Sequence, residues 1–82
     1  MSDEILLKRI SMDPGTMVGK PVIRGTRLTV EYILNLLAHG DESADILKEY
    51  PDLSAEDIQA CLLFAALSLE STTFMPLAKE AG

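Results

Sequence analysis

Two short apolar runs, Val22-Ile23 and Leu28 with Val30, stand on either side of Arg24-Gly25-Thr26, and this arrangement constrains the chain more than any other feature. Apolar run, glycine-bearing reversal and second apolar run together describe a strand-turn-strand clip. Gly25 can take the positive φ that a tight reversal needs, and Pro21 fixes φ just ahead of the first run. The clip therefore holds Arg24 and Arg27 at its tip. From Thr29 onward the spacing turns helical, so the chain is predicted to be mostly α with a small N-terminal β-strand clip.

Three helices are expected after the clip. Thr29 caps the first, because its hydroxyl can accept a bond from a first-turn amide, and Glu31 suits the positive end. Val30, Ile33, Leu34, Leu37 and Ala38 give it one buried stripe, His39 caps its last carbonyls and Gly40 ends it in a left-handed conformation. Ser43 starts a shorter second helix with Ala44, Ile46, Leu47 and Tyr50 inward, stopped by Pro51. Ser54 opens the third, with Glu56 and Asp57 in its first turn. Over residues 55–71 this last helix is apolar nearly all round: Ile58, Cys61, Leu62, Ala65 and Leu69 form one face, and Leu63, Phe64 and Leu67 another. A helix with no polar side is buried on both sides, so Leu63, Phe64 and Leu67, with Phe74 of the tail, are the candidate surface for a second subunit or a partner.

Residues 5–10 are short and apolar and precede a Ser-Met-Asp-Pro-Gly turn signal, which predicts an edge strand, with a helical first turn as the competing reading. Residues 12–20 read as an irregular loop anchored by Met17-Val18. One domain over residues 1–82 is expected: a clip over 1–28, a three-helix core over 29–71 and a tail over 72–82. A chain of this length hides only about 60 to 65% of its unfolded surface. Yet 48% of its residues are hydrophobic, more than a small monomer covers comfortably, which predicts a dimer or a complex.

Charge divides unevenly. Residues 1–28 carry a net +2 and residues 29–82 a net −8, so any phosphate-binding surface belongs to the N-terminal third, where Arg24, Arg27 and Lys20 lie together. Lys8 and Arg9 are adjacent and on a strand would point to opposite faces, so at most one joins that patch. The single Cys61 closes no internal disulfide and no residue pair has metal-ligand spacing, which fits a reducing cytoplasm and implies no cofactor. Neither a leader segment nor a membrane span is expected. No nucleophile-base pair or phosphate-cradling glycine loop is visible, so an enzyme is not expected.

The pattern Gly19-x-Pro21-x-Ile23-x-Gly25-Thr26-Arg27, continued by Val30, Ile33, Leu37, Gly40, Tyr50-Pro51 and Leu53-Ser54-x-x-Asp57-Ile58, resembles the small bacterial family called domain of unknown function 433. The resemblance covers residues 10–66. It implies a homeodomain-like, helix-turn-helix type fold and the role of antitoxin in a two-gene toxin-antitoxin module: binding and neutralising a PIN-like nuclease toxin, and repressing its own operon by binding DNA. In such a protein an arginine set among the toxin's metal-binding carboxylates would serve as an inhibitory device, and Arg24 and Arg27 are the candidates here. Against the DNA role, the third helix offers only Gln59 of the residue types that read base edges. The alternative is a small homodimeric interaction module with no nucleic-acid role.

Overall fold

The computed structural model describes residues 2–15 and 19–70. Along the chain run α1 (Asp3–Leu7), β1 (Ile10–Ser11), β2 (Val22–Ile23), α2 (Val30–Ala38), α3 (Ser43–Glu49) and α4 (Ala55–Glu70). Among the described residues the chain is mostly helical, with four helices and a short two-stranded antiparallel sheet. The tail beyond residue 70, Phe74 included, and the expected Met17-Val18 anchor lie outside the described residues.

Helix α1 replaces most of the edge strand expected over residues 5–10. Ser2 accepts a bond from the Ile5 amide at 3.3 Å, and Asp3 and Glu4 occupy the first turn, where carboxylates offset the positive end of the helix. Those capping groups lie just upstream of the apolar run and turn it helical. Strand geometry survives only at Ile10 and Ser11, which pair with Ile23 and Val22 of β2.

The clip is built as a turn with a minimal return limb. Thr26 donates its amide to the Ile23 carbonyl at 3.0 Å, with Gly25 at φ +83°, the left-handed position that a type II turn reserves for glycine. The Thr26 hydroxyl then donates to that same carbonyl and accepts from the Leu28 amide, which locks the reversal from inside. Ile23 donates to the Leu28 carbonyl at 2.9 Å, and Val22 forms a single bridge with Thr29. Val30, expected as part of the second apolar run, is already the first residue of α2.

The three helices expected after the clip stand close to their predicted places. Thr29 caps α2 through the Tyr32 amide at 3.0 Å. At the other end Gly40, at φ +104°, donates to the Leu37 carbonyl while Asp41 donates to Leu36, the paired bonds of a Schellman cap. The His39 Nδ1 lies 2.7 Å from the Asn35 carbonyl, the capping role its position predicts. Helix α4 is the organising element, packed against α1, α2, α3 and β1. The core gathers Ile23, Ile33, Ile46, Ile58, Ala60 and Cys61, all but sealed from solvent.

Helix α4 departs from its predicted faces. Ile58 and Cys61 are buried as expected, but so is Ala60, while Leu62 and Leu69 of the same predicted face are 49% and 59% exposed. The helix is about 24 Å long, and its buried residues, Asp57, Ile58, Ala60 and Cys61, all lie in its first half.

Candidate functional site

The basic residues singled out in the clip divide by role. Lys20 pairs with Glu31 at 3.1 Å, and both ends of that bridge are well exposed. Arg24 turns back along the sheet: its Nε donates to the Lys8 carbonyl at 2.7 Å and one terminal nitrogen to the Ile10 carbonyl at 3.4 Å, while its own amide donates to the Arg9 carbonyl. Its charged fork therefore fastens the turn to the segment between α1 and β1. Arg27 is exposed and, among the described residues, its guanidinium makes no hydrogen bond or ion pair. Of the three, it is the one whose donors remain available.

Arg9 acts within the fold. It donates to Asp57 at 3.1 Å and to the Ser54 hydroxyl at 3.4 Å, and the other oxygen of Asp57 accepts from the Ser54 amide and hydroxyl. A carboxylate buried to 8% exposure is thereby satisfied on both oxygens, and the start of α4 is tied to the N-terminal segment.

Beside Arg27 lies an arrangement that spacing alone did not indicate. Tyr32 on α2 and Tyr50 at the end of α3 meet edge to face, ring centroids 6.2 Å apart, with their hydroxyls 2.7 Å from each other. The pair lines a cleft of about 300 Å³ together with Arg27, Leu28 and Thr29. The hydrogen bond shared with Tyr32, aided by partial burial and by the charges of Tyr32 and Glu49, pushes the Tyr50 hydroxyl up to about 12, so it keeps its proton at neutral pH. A second cleft of about 580 Å³ adjoins through Leu28 and Tyr50, with Arg24 on one side and Glu49 and Asp52 on the other.

The candidate interface residues sit on the distal half of α4. Leu63 and Phe64 are half-buried and Leu67 is exposed. Phe64, Ala65 and Leu69 face Val30, Leu34 and Ala38 of α2 across an apolar groove of about 490 Å³. The spacing on α2 places Val30, Leu34 and Ala38 in one buried stripe, whereas Leu34 is half-buried and Ala38 is exposed on the groove. Leu62 and Leu69 were missed as surface residues because periodicity tells which residues share a face and not how far a neighbour extends along it.

Burial, with a smaller contribution from the Asp57 charge, pushes the Cys61 thiol from 9.0 up to about 12. Such a thiol is a packing group and not a nucleophile at neutral pH. Among the described residues no helix is long and apolar enough to cross a membrane.

Comparison with known proteins adds a family to this geometry. The model of a family described as "Protein of unknown function (DUF433)" matches residues 10–65. The chain belongs to the DUF433 family. Among solved structures it is similar to a DUF433 member protein from Anabaena variabilis ATCC 29413, crystallised at 2.00 Å resolution, with 30% sequence identity and a TM-score of 0.73. The likeness covers 82% of this chain and 66% of that one. No curated protein matches the chain. The DUF433 match begins at β1 and ends within α4, so it takes in the clip, the tyrosine pair and Asp57, while Arg9 lies one residue before it.

Proposed function

We propose that this DUF433 chain is a non-enzymatic, antitoxin-like protein that binds and silences a basic partner, a PIN-like nuclease being the fitting class. The observation that carries the reading is the stretch of α4 from Leu62 onward, where Leu62, Leu67 and Leu69 stand exposed and Leu69 lines the apolar groove against α2. Exposed leucines flanking an apolar groove mark an interaction surface. Its setting indicates the partner: residues 29–82 carry a net −8, and Asp41, Glu42, Asp45 and Asp52 are exposed on them. A protein that cleaves nucleic acid presents a basic face, and an acidic body around an apolar centre complements it. The groups that could have suggested catalysis have structural employment, Cys61 in the core and His39 at a helix end.

The order α2, α3, α4 with a short turn before α4 accords with a homeodomain-like, helix-turn-helix arrangement. Base reading by α4 has less support. Recognition helices use their N-terminal residues, and here Asp57 and Ile58 are buried, Glu56 brings negative charge and Gln59 stands alone as an exposed reader. Operator binding through the clip would draw mainly on Arg27, since Lys20 and Arg24 are engaged.

Co-expression with the product of the adjacent gene tests the reading. The two proteins are expected to co-purify, and the partner's RNA cleavage to be suppressed in the complex. A partner that neither co-purifies nor loses activity would end the proposal.

A further inference from the structure

We propose that the cleft formed by Arg27, Tyr32 and Tyr50 is a carboxylate-binding subsite that receives an acidic side chain of a protein partner. The inference deepens the reading above, on which it rests for the partner being a protein, and it assigns roles to two tyrosines that the apolar α2/α4 groove does not use. The chemistry starts from a count of protons. Two phenols that share one hydrogen bond, at 2.7 Å, use one hydroxyl proton between them and leave the other to be donated outward. Accepting a bond while donating another polarises that outer hydroxyl and makes it the better donor. Arg27, whose guanidinium has no partner among the described residues, lines the same 300 Å³ cleft. Leu28 supplies an apolar wall, which strengthens a charge-assisted bond by keeping water away. A cleft that offers a planar cation and a phenolic donor calls for a planar anion of single charge.

The surroundings choose between carboxylate and phosphate. Glu49 and Asp52 line the adjoining cleft, joined to this one at Leu28 and Tyr50. They repel a nucleic-acid backbone, whose charges repeat along the strand, but they suit a peptide in which a lysine or arginine neighbours the acidic residue. The preferred ligand is therefore an acidic side chain with a basic residue beside it.

The full chain is titrated by heteronuclear NMR with acetyl-Lys-Glu-amide, with acetyl-Lys-Gln-amide, with inorganic phosphate and with a short single-stranded oligonucleotide. The glutamate peptide is expected to give saturable shifts at the Arg27 Nε–H and the Tyr32 and Tyr50 ring signals, and the glutamine peptide none there. Arg27→Gln should weaken that binding about tenfold and Tyr32→Phe about fivefold, with the rest of the spectrum unchanged. Absence of shifts at these signals, equal shifts with the glutamine peptide, or equal binding by Arg27→Gln would overturn the subsite. Tighter binding of phosphate or oligonucleotide at the same signals would overturn its assignment to a protein carboxylate. Because the probe is a peptide, the outcome is separate from whether the neighbouring gene product binds: a complex that forms equally well with Arg27→Gln would sink the subsite and leave the apolar interface standing.

Discussion

Removing the Arg24 guanidinium would leave the Lys8 and Ile10 carbonyls without the donor that holds the turn to the α1–β1 segment. Arg24→Ala is therefore expected to destabilise the fold by about 1 to 3 kcal/mol, read by urea denaturation, while Arg27→Ala changes stability by less than about 0.5 kcal/mol. Equal losses from the two substitutions would contradict the division of labour drawn between them. Cys61 gives a second prediction at this scale. Its pKa rises from 9.0 in the unfolded chain to about 12 in the fold, so the folded state keeps a proton that the unfolded state sheds. The stability linked to that thiol is whole below pH 9 and is lost as pH climbs toward 12, at up to about 1.4 kcal/mol per pH unit. Cys61→Ala should flatten that decline in a pH series of melts, and an unchanged slope would count against a sealed thiol. What separates Arg24 from Arg27 was not visible in the sequence, because two arginines on one turn look alike until the Lys8 and Ile10 carbonyls are brought beside one of them.

Helix α4 has two halves with different duties. Its first half holds Asp57, Ile58, Ala60 and Cys61 in the core and ends at the exposed Leu62, and its second presents Leu67 and Leu69 to solvent. Substituting both Leu67 and Leu69 by Glu is expected to shift stability by no more than about 1 kcal/mol, since exposed positions tolerate change, whereas Ile58→Ala should cost about 2 to 5 kcal/mol. Thermal denaturation of the two variants checks this, and a large loss from the leucine pair would mean that they pack against this chain's own tail. The helices after the clip were legible because caps and stops mark them: Thr29, Gly40 and Pro51 act where their chemistry predicts, and at the start of α4 it is the Asp57 carboxylate that accepts from the Ser54 amide and hydroxyl. Residues 5–10 were misread because an apolar run of that length suits either geometry, and Ser2 with its following carboxylates decided for a helix.

At the scale of the whole molecule, the distribution of charge predicts how it meets a partner. A net −8 over residues 29–82 should make association with a basic protein faster at low salt than at high salt. DNA binding that drew on Arg27 alone would show a slope near −0.9 in log K against log salt, and a slope of about −3 or steeper would call for basic contacts the clip does not offer. The apolar excess signalled company, but not its place: the groove between α2 and α4 depends on how the two helices pack together, which no local pattern encodes. The most direct test of the central claim is a titration of the neighbouring gene product's RNA-cleaving activity with wild-type chain and with the Leu67→Glu, Leu69→Glu double variant, both shown to be folded. Wild type should suppress cleavage to completion at stoichiometric amounts, and the double variant should need at least about tenfold more. Equal potency of the two proteins, or cleavage untouched by either, would contradict it.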